Sequence, residues 1–292
     1  MRTILRASTV LAVTALAAVG LSGCAGGSGG GSAANTPDIA ACAGTGAGAT
    51  TASANAPAGG NAAAGKTYTI ASDNSFAPFE YLDSSTNKYV GVDMDLLAAI
   101  AKDQGFSYEV QNVGFDAAMG AVQSGQADGM IAGMSITDER KKTYDFSDGY
   151  YTNGQILVVP ANSTIASLDD LKGKVVAVKA STQGATYADC VKDYYGFTTQ
   201  VYEDSPTMYT AVTNNTNAAC FEDYSVVSYA IKQGVALKTV GEQVQSAQYG
   251  FAVKKGTNAD LLAAFNKGLA DIKASGEYDK VLATYGLTPT AG

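Results

Sequence analysis

Asp128-Gly129-Met130-Ile131-Ala132-Gly133-Met134-Ser135-Ile136-Thr137-Asp138-Glu139-Arg140-Lys141-Lys142 is the stretch on which the fold turns. It opens on Asp128–Ala132, an apolar run short enough for a buried strand. It breaks at a glycine and passes into hydroxyls and charges. Thr137 is placed to cap a short helix, which leaves free backbone N–H groups nearby. Arg140 is the only arginine beyond residue 6, in a chain with 16 lysines. Where lysine serves every generic need for positive charge, a lone arginine points to a task for the planar guanidinium. That fork grips a carboxylate through two parallel hydrogen bonds. Arg140, the Ser135 hydroxyl and the free N–H groups together make a carboxylate receptor. Asp138, Glu139, Lys141 and Lys142 read as a solvated charge run, and a surface ion pair within that run is the competing use of Arg140.

Outward from this stretch, strand and helix patterns alternate. Tyr68–Ala71 and Tyr108–Val113 read as strands and Phe115–Ser124 as a helix. Asp93 is expected to cap a helix in which Met94, Leu97, Ile100 and Ala101 repeat at helical spacing and Gly105 is the stop. Downstream, Ile156–Val159, Val175–Val178, Thr199–Tyr202, Ala219–Phe221 and Leu237–Val240 read as strands. Helices are expected at Thr182–Tyr194, Pro206–Thr213, Ser225–Lys232, Ala259–Ala274 and Tyr278–Tyr285. Alternation of this kind predicts an α/β fold with largely parallel sheets. Such sheets bind ligands beyond the carboxyl ends of their strands, which singles out the loops after Ala71, Val113, Ala132, Val178 and Phe221.

Those loops carry a consistent chemistry. Glu222 and Asp223 follow a buried-type strand and precede a helix. Asp223 serves either as a helix cap or as counter-charge to an ammonium, forming with Arg140 the two ends of a zwitterion clamp. Asp73, Phe76, Phe79 and Tyr81 interleave aromatic and polar groups, as does Phe115, and such side chains form either a pocket wall or loop anchors. Lys179-Ala180-Ser181-Thr182-Gln183-Gly184 is a strand-to-helix turn that lacks the Gly-Lys-Ser/Thr pattern of a phosphate-binding loop, so nucleotide binding is rejected.

The N-terminal region is of another kind. Arg2 and Arg6 precede an apolar stretch, Thr9–Val19, which is too short for a membrane span and reads as residues 1–23 of a secretory signal. Leu21-Ser22-Gly23-Cys24 resembles the lipobox of bacterial lipoproteins, in which the cysteine is acylated, with palmitate for example, and becomes the first mature residue. From 24 to 65 the chain is mostly Gly, Ala, Ser, Thr and Asn with one charge, Asp38. This segment is expected to be a disordered, lipid-anchored leash, with folding from Lys66. Cys42 falls in that leash. Cys190 and Cys220 fall in the folded part, either bridged or as two free buried thiols.

Losing Arg2 and Arg6 takes the formal charge from −8 to −10, which leaves no electrostatic footprint for nucleic acid. The chain has no histidine, so a Ser-His-Asp or Cys-His device cannot be built. No cofactor, metal or catalytic residue is expected.

Four loops in this order resemble the polar amino-acid solute-binding proteins of ABC importers, over Lys66–Leu287. The matching segments are Phe76-Ala77-Pro78-Phe79-Glu80, Gly91-Val92-Asp93-Met94-Asp95-Leu96, Ser135 through Lys142, Asp145-Phe146-Ser147-Asp148 and Tyr150-Tyr151. The resemblance implies a two-lobed periplasmic-binding-protein-like fold with two hinge strands. Lobe 1 would be residues 66–151 and 249–292, and lobe 2 residues 155–246. It implies that Arg140, helped by Ser135 and Thr182, grips a ligand α-carboxylate, and that Gly133 and Asp223 bind the α-amino group. Phe76 and Phe115 would sandwich the side chain, and Asp73, Lys179, Gln183 and Glu222 would lie near its far end. Gln183 matches binders of basic amino acids and Lys179 binders of glutamine. Because Lys179 repels a cation unless Glu222 pairs with it, glutamine or glutamate is expected. The implied role is a monomeric, extracytoplasmic, lipid-anchored binding protein that serves a membrane permease and is not an enzyme. The rivals are a dehydratase on the same fold, with Glu222 as its acid, and a sensor module.

Overall fold

The computed structural model describes residues 39–42 and 61–290. The signal segment 1–23, the lipobox cysteine Cys24 and most of the 24–65 leash lie outside the described residues. Among the described residues, no helix is long and apolar enough to cross a membrane.

Two five-stranded sheets carry the chain, and in each the fourth strand in order runs against the other four. In the first the order is Ser107–Asn112, Thr67–Ser72, Gly129–Met130, Ala252–Lys254, Tyr144–Phe146. Ala252 runs antiparallel to both Met130 and Phe146. In the second the order is Thr198–Tyr202, Val175–Lys179, Ala219–Asp223, Tyr151–Pro160, Leu237–Tyr249. The antiparallel pair here is long, running from Tyr249 opposite Tyr151 to Leu237 opposite Pro160. Its ends nearest Tyr151 and Tyr249 adjoin the first sheet, since Ser135 bridges Tyr249 and the Gly250 N–H donates to the Met134 carbonyl at 3.0 Å. Connection through paired strands of this kind is what a two-lobed hinged fold requires.

Each sheet has its own apolar core. Ile70, Leu96, Leu97, Ile100, Phe251 and Phe265 pack around the first, with helices Val92–Gln104 and Ala259–Ala274 closing over it. The second sheet is covered on both faces. Val176, Val178, Ala219 and Phe221 meet Tyr187, Ala188 and Val191 on one side. Ala177 and Cys220 meet Met208, Val212 and Val227 on the other.

Helices Phe115–Ser124 and Ala259–Ala274 form over the residues that periodicity indicates. Most other elements shift by one or two residues at their ends, but the strands expected over Ile156–Val159 and Leu237–Val240 extend to Tyr151–Pro160 and Leu237–Tyr249, and the strand expected over Asp128–Ala132 is confined to Gly129–Met130. Three further differences are of another kind. Ser75–Phe76, Glu80–Asp83 and Lys88–Val90 form a small antiparallel sheet inside what reads as a loop and linker. Asp93 does not cap its helix: Gly91 occupies the cap position and Asp93 turns inward, fully buried. The third concerns sulfur. Cys190 pairs with Cys42, not with Cys220, which stays a free buried thiol. Strand alternation is the reason, because Cys220 points to the sheet face opposite the helix Gln183–Tyr195 that carries Cys190. Two pieces of the presumed leash are therefore ordered. Ile39–Cys42 is a helical turn, with Cys42 buried against Leu157 and Val159 and its carbonyl taking the Gln245 amide N–H at 2.9 Å. Residues 61–65 dock on the first sheet's helix, Asn61 donating to the Gln104 side chain at 3.1 Å.

Candidate functional site

The carboxyl ends of the parallel strands in the two sheets face one another, and the loops that leave them border a narrow cavity. Its walls are Phe76, Phe115, Ala132, Gly133, Ser135 and Arg140 from the first sheet's loops. Lys179, Thr182, Gln183 and Asp223 come from the second's. Nine of the ten residues expected to form a site thus border one space. The tenth, Asp73, lies just behind the wall, paired with Lys179.

Arg140 begins a short 3-10 turn, Arg140–Lys142, whose entry is fixed by the Thr137 hydroxyl accepting the Arg140 N–H at 3.2 Å. Its Nη1 donates to the Ser135 carbonyl and its Nη2 to the Ser181 carbonyl, both at 2.9 Å. The guanidinium carbon stands 5.3 Å from the centre of the Phe115 ring. Burial lowers the Arg140 pKa to about 10 while Asp223 opposes the shift, so the group stays cationic. Asp138, Glu139, Lys141 and Lys142 pair among themselves at the surface, and Arg140 is not part of that run.

Asp223 ends the strand Ala219–Asp223 and occupies the cap position of helix Tyr224–Lys232, yet its side chain makes no capping bond. It accepts instead from Tyr249 Oη at 2.7 Å and from Asn153 Nδ2 at 3.1 Å. Both donors stand on the long antiparallel pair, so the anion is aimed by the connecting strands. Burial raises its pKa, and the bonds from Tyr249 and others work against that rise.

Lys179 is almost wholly buried at the end of its strand, with its ammonium bonded to the equally buried Asp73. It lies 4.8 Å from the Phe76 ring centre and 5.8 Å from that of Phe115. Burial works against its charge, but Asp73 and then Glu222 outweigh it and hold the pKa above the ordinary lysine value. Glu222 is raised to about 7 by burial and by Asp223, with Lys179 opposing. It accepts from Tyr209 Oη at 3.0 Å and from the Asp223 N–H at 2.9 Å. Thr182 caps helix Gln183–Tyr195 by accepting the Ala185 N–H at 3.3 Å. Gly133 takes φ +52°, and a Cβ there would fall 2.5 Å from the Phe76 ring, so the wall needs glycine for close approach.

Sequence reasoning missed Ala132, which borders the cavity. It also missed the Ser181 hydroxyl bonded to Asp116. The position of Asp116, one residue beyond Phe115, was the available signal.

Residues 68–288 match the model of the bacterial extracellular solute-binding proteins, family 3. A probable histidine-binding protein of Neisseria gonorrhoeae is 34% identical over 227 residues, 76% of this chain and 83% of that one. The second substrate-binding domain of Lactococcus lactis GlnP, solved in an open conformation, is 45% identical with a TM-score of 0.55, covering 75% of this chain and 94% of that one. An ancestral arginine-binding protein bound to arginine is 37% identical with a TM-score of 0.71, covering 75% and 98%. The arginine-bound structure superimposes better despite its lower identity.

Proposed function

This chain belongs to the bacterial extracellular solute-binding proteins, family 3, and on that premise we propose that it captures one polar L-amino acid between its two sheets and passes it to an ABC importer. The observation that carries the reading is the placement of Arg140 and Asp223 on one cavity from opposite sides. A forked cation suits an α-carboxylate and a buried carboxylate suits an α-ammonium, while Phe76 and Phe115 flank the path of a side chain. Residues 66–151 with 249–292, and residues 155–246, are the two bodies that close. A ligand that touches both favours the closed form by its differential affinity for it. Lipid on Cys24 keeps the protein, a monomer, at the membrane beside its permease.

The charges around the cavity select the side chain. Arg140 and Lys179 balance Asp73 and Asp223, and Glu222 is poised near neutrality. The far end offers an N–H donor, Lys179, with Asp73 behind it balancing its charge. An amide oxygen accepts from that donor without adding charge, which favours glutamine. A carboxylate would add negative charge near Asp73, and a cation would face Lys179. The relatives named for binding histidine and arginine support the amino-acid class. The dehydratase reading has no support in those names, and both oxygens of Glu222 are engaged by Tyr209 and its own neighbour's N–H.

Thermal-shift screening against the twenty L-amino acids tests the proposal, because a ligand that binds only the native state raises its melting temperature. Glutamine should give the largest shift. No shift with any amino acid would refute the function, and a larger shift with arginine would refute the choice of side chain.

A further inference from the structure

We propose that Glu80 is held as a neutral carboxylic acid that donates its proton to Asp93, and that this pair positions the Gly133 wall of the cavity. Glu80 opens the strand Glu80–Asp83, and Asp93 lies in the first turn of helix Val92–Gln104. Both side chains have no exposed surface. Neither Glu80 oxygen, nor Asp93 Oδ1, meets an N–H or O–H from any other described residue. The Asp93 N–H donates to the carbonyl of Phe79, the residue before Glu80, at 2.9 Å, which brings the two side chains into one buried region, where the two carboxyl groups interact. Two carboxylates in such a place cannot both be ionised, so they share a proton.

Three observations place that proton on Glu80. Asp93 Oδ2 accepts two bonds, from the Gly133 N–H and from Tyr150 Oη, each at 2.8 Å. Donors of this kind favour an anion, and Glu80 has none. Asp93 also sits at the positive end of a 13-residue helix, which stabilises negative charge. Burial, then Asp93 and Asp73, raises the Glu80 pKa well above the usual carboxylate value, with Lys179 the one opposing charge. Burial lifts Asp93 only to about 6. The charged and titratable groups facing the pair are thus Asp73, Lys179 and Tyr150.

The pair has a consequence for the site. The Asp93 anion pins the N–H of Gly133, the residue whose left-handed backbone lets Phe76 close against the cavity wall. Without the Glu80 proton, Asp93 would face a second buried anion and that anchor would be lost. Glu80 therefore acts on the ligand through Asp93 and Gly133, as a positioning residue. Its effect on affinity rests on the amino-acid reading above, whereas its protonation does not.

The test has two arms. Infrared spectra of the purified protein at neutral pH, wild type minus Glu80→Gln, should contain the carbonyl stretch of a protonated carboxyl group. Carbon-13 labelling of glutamate carboxyls in the wild type needs no substitution. One glutamate should stay protonated above pH 7, where Glu222 titrates. Calorimetry with L-glutamine supplies the second arm. Glu80→Leu, which has no donor, should weaken binding at least about tenfold, as expected when a hydrogen bond to a charged group is lost. Glu80→Gln, which restores a donor that cannot ionise, should recover most of that loss. A purely structural role would lower the melting temperature of both variants and leave the affinity of the folded protein intact. The proposal is overturned by a wild type with no protonated glutamate, by Glu80→Leu binding as tightly as wild type, or by Glu80→Gln failing to recover affinity. If the wild type binds no amino acid, the reading of the cavity fails and the spectroscopic arm alone decides the proton.

Discussion

Arg140 and Lys179 are both cations on one cavity, yet they do different work. The charge of Lys179 is balanced by Asp73 in a buried pair, whereas Arg140 meets only carbonyls and the face of Phe115, so its charge is available to an incoming anion. Arg140→Lys keeps the charge and loses the fork. Calorimetry should show a loss of about 2–5 kcal/mol, roughly thirtyfold to several thousandfold in affinity. Wild-type binding by this variant would contradict the assignment. Glu222 gives a second prediction at the same scale. With its pKa raised to about 7, it is neutral below that pH and anionic above it. The added negative charge favours a cationic side chain, so affinity for arginine should climb as pH rises through about 7, while affinity for glutamine should not follow. Parallel profiles for the two ligands would show that Glu222 does not reach the side chain.

At the scale of elements, legibility in the sequence followed pattern strength. Helix Ala259–Ala274 carries a regular apolar stripe over sixteen residues and was readable to the residue. The three-stranded sheet from Ser75 to Val90 was not, because its strands are two to four residues long and its alternation is broken by Pro78 and by Asp83-Ser84-Ser85. Asp93 looked like a cap because aspartate before an apolar stripe usually is one. Only the fold reveals that the Gly133 N–H and the Tyr150 hydroxyl compete for it. The cavity residues were legible because each stands at the end of a parallel strand or in the segment that leaves it. The Cys42–Cys190 bridge was not, since no local pattern links a cysteine in a Gly/Ala tract to a helix 148 residues away. The entry to helix Val92–Gln104 offers a test of element packing. Gly91 has φ +133°, and a Cβ there would fall 2.1 Å from the Phe79 carbonyl oxygen. Gly91→Ala combines backbone strain with overpacking and should cost about 3 kcal/mol or more in denaturant unfolding. A cost near zero would mean that this close approach is absent.

For the molecule as a whole, the disulfide fastens residues 39–42 to the second sheet, while residues 61–65 hold to the first. The chain thus touches both bodies before the main fold begins. Cys42→Ser should lower stability by about 2–5 kcal/mol in denaturant unfolding under oxidising conditions, the usual effect of removing a link that closes a long loop. Unchanged stability would indicate that the bridge does not constrain the unfolded chain. The proposed function requires two opposite charges on facing sheets to hold the two ends of one zwitterion. Calorimetric titration of the wild-type protein with L-glutamine, with its analogue lacking the α-ammonium, and with its analogue whose α-carboxylate is amidated tests this most directly. Saturable binding of L-glutamine, with either analogue weakened at least tenfold, roughly the loss expected for one buried charge partner, is the predicted result. An analogue lacking either charge that bound as tightly as L-glutamine would contradict it.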